Sequence, residues 1–422
     1  MKILFLPAHY VFDDHQYGTE PDHAYNIVNR IASLHPDSLV VTGRKNILKA
    51  TNYRIMELQP HKAGFNMSFQ NALIFNIRYT VAMVRILRKE QFDLIHHVRP
   101  FELGSTFNMA ILLGVHKRVP FVVGSFCSPY AKGKADPANY DKPQNRIKKL
   151  AGTALGQLIS LGLGPLCTAT LKKADAIFVV NRHTRELVLG RSPQSRIVIM
   201  PPGKDRDTYR YNAHKKYHRD KLTFISVGNL IPRKGFDQLI AAFGNVAANY
   251  PEARLLIVGG GFAADMLQDD ARRHGVAKQV IFTGRMANSD MPALYAQADI
   301  YAAMPIEEAF GHTYIEAMAS GLPIIATATI GATEIIGGEP FGKLITCGDT
   351  TAMAAHMGHF LRHPKTIPRL ARLARAKFEK YYAWSGIIPR YLETYQAVLD
   401  KRITPDQLPI KAPLSVEGEL PN

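Results

Sequence analysis

Met304–Pro323, MPIEEAFGHTYIEAMASGLP, places three carboxylates, Glu307, Glu308 and Glu316, in a stretch that otherwise reads as core. Before it runs DIYAAMP, ending near Pro305, and after it LPIIATA from Leu322; both are short apolar runs with β-branched or aromatic residues, bounded by turn formers. Between them HTYIEAMASG has helical spacing and stops on Gly321, a usual residue just past a helix end. Strand, loop, helix, strand is the βα unit of a buried parallel sheet. Glu307 and Glu308 then lie on the loop after a strand, and Glu316 on the first turn of the helix.

The same alternation runs outward in both directions. After the midpoint come LTFISVGN, the helix-like FDQLIAAFGNVAANY, ARLLIVGGG and QVIFTGR. Before it come KILFLP, the helix-like DHAYNIVNRIASL, SLVVTG, FDLIHHV, PFVVGSF and DAIFVVN. The pattern stops and restarts, so two parallel sheets in series are predicted. Length agrees, because 422 residues exceed what one ordinary core encloses and divide into domains of roughly 200. We place an N-terminal Rossmann-like domain at 1–200 and a second at 201–384, with a helix near 385–400 returning to the first. Met200–Lys221, where Pro, Gly and charge replace apolar periodicity, reads as the linker, and 404–422 as a disordered Pro-rich tail. Two doubly wound domains in tandem predict an interdomain cleft at the carboxyl ends of the sheets.

Composition excludes several classes. Charged residues at 21% and hydrophobic ones at 46% describe a soluble globular chain rather than a disordered one. Cys127, Cys167 and Cys347 are scattered without CxxC pairs, which argues against a disulfide framework or a zinc site. MKILFLPAHYV suits a first strand better than a signal peptide, and Leu150–Leu171, though uncharged, carries too much Gly, Gln, Ser, Thr and Pro for a membrane span. The net charge of +17 is uneven: residues 1–200 hold 26 Lys+Arg against 13 Asp+Glu, the remainder 26 against 22. The first half therefore faces something anionic, such as a membrane or phosphate surface, or is simply a solvated basic face. Nucleic acid is disfavoured, since the basic residues lack interleaved aromatics and no reading motif is present.

Two loops carry chemistry. SVGNLIPRKGF brings Arg233 and Lys234 to a helix start near Gly235, and a cation beside exposed amides suits phosphate. There is no GxxxxGK[ST], and VGGG at Val258–Gly261 lacks the rest of a dinucleotide fingerprint. In the opening stretch, Gly311, His312 and Thr313 mark another helix start, with Glu308 and Glu316 on either side. Carboxylates accept hydroxyls in pairs, so the ligand has hydroxyls at both ends and phosphates between: a nucleotide-sugar.

These elements, Glu308 to Glu316 as E-x7-E, the GNLIPRKG loop and EAMASGLPIIATATIGATEII, resemble the family 4 glycosyltransferases, retaining enzymes of the GT-B fold. The resemblance implies that Glu308 contacts the sugar, Glu316 the nucleotide ribose and Lys234 the diphosphate. It further implies that Gly311, His312 and Thr313 offer amides to phosphate and sugar, and that Met286 lies beside the base. Catalytic weight falls on Glu308, Lys234 and Arg233. Asn229 stands where the family usually has arginine, a charge that Arg233 is expected to replace. Gly18, in YGTEPDH, stands at the family's phosphate-contacting glycine pair. Phe126 occupies the position of a frequent first-domain histidine, which leaves His96, His97 and Arg99 as acceptor-side candidates.

The expectation is a glycosyltransferase moving a sugar from a nucleotide-diphosphate donor, UDP first and GDP second, to a glycan, lipid-linked or other acceptor. No cofactor and no metal are expected. A cytoplasmic location follows, with peripheral attachment to the inner membrane face through the basic half. The rival readings are a nucleotide-sugar epimerase or hydrolase and a non-catalytic nucleotide-sugar binder.

Overall fold

A short β-branched run satisfies its backbone by pairing, and in the computed structural model those of the sequence pair in parallel. The structure describes residues 1–7, 11–13, 19–46, 50–58, 69–98, 108–116, 119–126, 165–189, 196–218 and 220–401. By their contacts these fall into two compact units, one made of the chain up to Pro202 with the segment from Ile387, the other running from Gly203 to Gly386.

The first unit holds β1 (Ile3–Pro7), β2 (Val11–Asp13), β3 (Leu39–Thr42), β4 (Arg44–Asn46), β5 (Arg54–Glu57), β6 (Leu94–Val98), β7 (Phe121–Phe126), β8 (Ala176–Val179) and β9 (Ile197–Ile199). Seven of them form one sheet in the order β5-β3-β1-β6-β7-β8-β9, and β2 pairs β4 separately. Leu4, Leu6, Val41, Ile95, Phe121 and Ile177 are in its core, packed under the helix Phe69–Lys89 through Tyr79 and Met83.

The second unit holds β10 (Thr223–Val227), β11 (Arg254–Val258), β12 (Val280–Gly284), β13 (Ile300–Ala303), β14 (Ile324–Thr327) and β15 (Gly342–Ile345), in the order β12-β11-β10-β13-β14-β15. Phe224, Ile225, Leu255, Ile257, Ile300 and Ile324 are fully buried, as central strands covered on both faces require. Strand order reverses between β10 and β13, and such a switch point is where the loops leaving two adjacent strands part and leave room for a ligand. The loops leaving these two strands carry Lys234 and Glu308. In the first unit the switch falls between β1 and β6. Gly18 and Arg99 follow those strands but lie outside the described residues, as do Cys127, most of Leu150–Leu171 and the tail.

The stretch read as a linker is instead packed along the second unit. Tyr209 is buried with its ring 5.8 Å from that of Tyr295, Lys215 pairs with Asp299 at 2.9 Å, and Arg375 donates to the Tyr209 carbonyl at 2.6 Å. Among the described residues, no helix is long and apolar enough to cross a membrane.

Candidate functional site

The loop after β10 ends in a 3-10 turn, Pro232–Lys234, then Gly235 at φ 61°, then the helix Phe236–Ala247. A left-handed residue is needed there, and a Cβ on Gly235 would stand 1.9 Å from the Met304 carbonyl oxygen, so this position admits only glycine. That close approach locks the loop against the one after β13. The Ile306 N–H donates to the Arg233 carbonyl at 2.9 Å, and Arg233 Nη1 donates to the Glu307 carbonyl at 2.7 Å. Lys234 Nζ then meets Glu308 Oε2 at 2.5 Å, with both side chains about four-fifths buried (21% and 17% exposed).

Burial alone pushes the Glu308 carboxyl up, but Lys234, its hydrogen bond and the Arg233 charge outweigh this and hold it below the ordinary carboxylate value. Glu308 is thus ionised at neutral pH. Its backbone is equally fixed, because the Gly331 N–H donates to its carbonyl at 2.9 Å. Gly311, at φ 87°, then turns the chain into the helix His312–Ala319, and a Cβ there would strike the Tyr314 ring at 2.3 Å. Thr313 accepts from the buried Tyr301 hydroxyl at 2.8 Å, and His312 packs its ring 5.4 Å from Phe310.

Glu316 lies on the second turn of that helix rather than the first, because the helix opens at His312. It faces inward and is 7% exposed. Lys204 Nζ sits 2.9 Å from its Oε1, and the Tyr295 hydroxyl donates to its Oε2 at 2.9 Å. Burial, and then the Glu316 charge, push the Tyr295 phenol well up, which keeps it a donor. Two lysines and two carboxylates thus form two ion pairs on the His312–Ala319 helix and the loop before it.

The predicted residues divide accordingly. Lys234, Glu308, Gly311, His312, Thr313 and Glu316 come together at the β10–β13 switch point. Asn229 is exposed on the loop after β10, and Met286 is half-buried in the loop after β12, at the same carboxyl edge of the sheet. Arg233 is turned toward the Glu307 carbonyl and braces the loop, a different posture from an outward replacement for a missing arginine. His96 and His97 correct an expectation more firmly. His96 is fully buried, bonded to the Gly124 carbonyl at 2.9 Å and to the Tyr395 hydroxyl at 2.5 Å, and burial pushes its imidazole down to about 3. His97 is buried against Tyr79 and hydrogen-bonded to Asn108 at 3.2 Å. Both therefore serve packing within the first unit. Sequence reading missed Lys204 and Tyr295.

Comparison with known proteins adds to this geometry. The model of Glycosyltransferase Family 4 matches residues 22–208, and that of Glycosyl transferases group 1 matches residues 210–377. The chain is 29% identical over 238 residues to the GDP-mannose-dependent alpha-(1-6)-phosphatidylinositol monomannoside mannosyltransferase of Mycolicibacterium smegmatis. That match spans 52% of this chain and 62% of the relative's length. In fold it is similar to sucrose-phosphate synthase of Thermosynechococcus elongatus, with a TM-score of 0.70 at 18% identity, covering 95% of this chain and 100% of that one. It is also similar to Anabaena HepE in complex with UDP, with a TM-score of 0.64 at 18% identity, covering 94% and 100%.

Proposed function

The chain belongs to the family 4 glycosyltransferases, and we propose that it transfers a sugar from a nucleotide-diphosphate donor to an acceptor hydroxyl, with retention at the anomeric carbon. The observation that carries this reading is the Lys234–Glu308 pair at the β10–β13 switch point, beside the N-terminus of the helix that bears Glu316. As the bond from sugar to diphosphate breaks, its electron pair passes to the diphosphate, which takes up the proton that the acceptor hydroxyl loses as its oxygen bonds the anomeric carbon. Lys234, the charge of Arg233 behind it and the helix N-terminus stabilise that charge, usually the largest single contribution to such catalysis. Glu308 holds the sugar hydroxyls in line for the acceptor, where alignment counts heavily. Asn229, Met286 and the amides of Gly311–Thr313 complete the donor site. Because Lys234 and Arg233 supply the positive charge here, no divalent metal is needed in this scheme.

Relatives named as GDP-mannose-dependent move GDP ahead of UDP as the donor to test first. The experiment is a thermal-shift screen against GDP, UDP, ADP and their sugar conjugates, with magnesium and with EDTA. Ligand at a hundred times its Kd stabilises by about 2.7 kcal/mol, so one nucleoside diphosphate is expected to raise Tm by several degrees, equally in EDTA. A shift that needs magnesium would remove the metal-independent scheme, and no shift with any nucleotide would remove the donor site.

A relative named for a phosphatidylinositol mannoside acceptor supports a lipid-linked acceptor, and the basic first unit supports an anionic surface. On the helix Phe69–Lys89, Ile77 and Val81 are exposed at 53% and 44%, with Arg78, Arg85 and Arg88 exposed around them. Positions three and four apart share a face, so aliphatic and cationic groups meet there in the combination that binds an interface. Co-sedimentation with anionic vesicles is expected at low salt and lost near 1 M, where the screening length is about 3 Å. Binding that survives high salt would count against an electrostatic attachment.

A further inference from the structure

We infer that Lys204 is a positioning residue that makes the donor site selective for a ribose diol. This rests on the donor-site reading above, with Glu316 as the group that meets the nucleotide ribose, and assigns a role to a residue that neither that reading nor the sequence motifs include. Lys204 stands where the chain enters the second unit, and its backbone is fixed on both sides. Its N–H donates to the Tyr382 carbonyl at 2.9 Å, and its carbonyl accepts from the Trp384 N–H at 3.2 Å. Its side chain is 14% exposed and reaches Glu316 Oε1 at 2.9 Å, while the buried Tyr295 hydroxyl holds Oε2 at 2.9 Å.

A carboxylate has about four acceptor directions, and the three torsions of a glutamate side chain can turn them widely. Two anchors on two different oxygens remove that freedom. They leave about one acceptor direction on each oxygen, the pair that a vicinal diol needs. Lys204 also sets a positive charge 2.9 Å from the Glu316 carboxyl, which is 7% exposed. The ligand class that fits is a ribonucleoside diphosphate with both hydroxyls free, whatever its base.

The test is calorimetry of GDP and UDP, each against its 2′,3′-dideoxy counterpart, on the full chain and on Lys204→Met, Lys204→Arg and Tyr295→Phe, with melting curves to confirm folding. The wild type is expected to prefer the ribonucleotide. Lys204→Met is expected to weaken ribonucleotide binding by roughly 10- to 100-fold, the loss of a charge-assisted hydrogen bond, while dideoxy affinity stays constant. Lys204→Arg should restore most of the preference, and Tyr295→Phe should lose part of it in a protein whose core is otherwise unchanged.

An undiminished ribo-to-deoxy ratio in Lys204→Met would overturn the inference while leaving the donor site standing. An equal weakening of both ligands would overturn it as well, marking Lys204 as structural. A wild type that binds no nucleoside diphosphate would remove the donor site and this inference together.

Discussion

Glu308→Gln is expected to lower kcat by about 100-fold or more while moving the melting temperature little. Glutamine keeps the shape and can still accept from Lys234, so the fold loses one charge-assisted contact between groups that are about one-fifth exposed, on the order of 1 kcal/mol. Catalysis loses more, because an amide neither aligns sugar hydroxyls as a carboxylate does nor balances the Lys234 ammonium during transfer. Binding of a bare nucleoside diphosphate should survive or tighten, since Lys234 no longer divides itself between Glu308 and phosphate. Falls of similar size in turnover and stability would assign Glu308 to structure instead.

The same pair sets a pH dependence. The Glu308 carboxyl is held below its ordinary value of 4.5, so the folded state binds its proton less readily than the unfolded chain does. Its contribution to stability is fully present above pH 4.5 and disappears as pH falls through the lower folded value. The stability gap between wild type and Glu308→Gln should therefore be constant at neutral pH and close only in acid.

The central strands were legible in the sequence because burial on both faces forces unbroken apolar runs, as in Phe224–Val227 or Ile324–Thr327. The strands passed over are the sheet edges β5, β9 and β15 and the two-stranded pair β2 and β4. Arg54–Glu57 and Gly342–Ile345 are partly exposed along their length, and so carry no apolar run to detect. The site was legible in the same way on its loops: Lys234 and Glu308 each follow a recognisable strand, and the switch between β10 and β13 brings them together. Lys204 and Tyr295 were not legible, because nothing local says that a lysine after Pro201-Pro202-Gly203 meets a glutamate on a distant helix. The packed strap was misread for a related reason. Its prolines, glycines and charges are loop chemistry, and what fixes it is a side chain far along the chain.

That side chain is Arg375, and Arg375→Met is expected to cost about 3–5 kcal/mol, the range for removing one partner from a buried charged network. Arg375 is 8% exposed. Its guanidinium donates to the Tyr209 carbonyl at 2.6 Å, the Arg206 carbonyl at 3.2 Å and the Ala319 carbonyl, while Nε donates to Glu379 at 2.8 Å. Ala319 ends the helix that begins at the candidate phosphate site, so the arginine also complements the negative end of that helix dipole. Methionine would fill much of the volume yet strand three carbonyls in a region that water does not readily reach. Each kcal/mol moves Tm by roughly 2–4 °C for a unit of about 200 residues, so a drop near 10 °C is expected in a thermal melt. The strap that Arg375 holds also carries Lys204. Nucleotide affinity should therefore fall in Arg375→Met even where the protein remains folded, and by less in Arg375→Lys, which can reach some of the carbonyls. A melt that does not move would mean that burial of Tyr209 and the Lys215–Asp299 pair hold the strap without the arginine, and that Lys204 keeps its position as well.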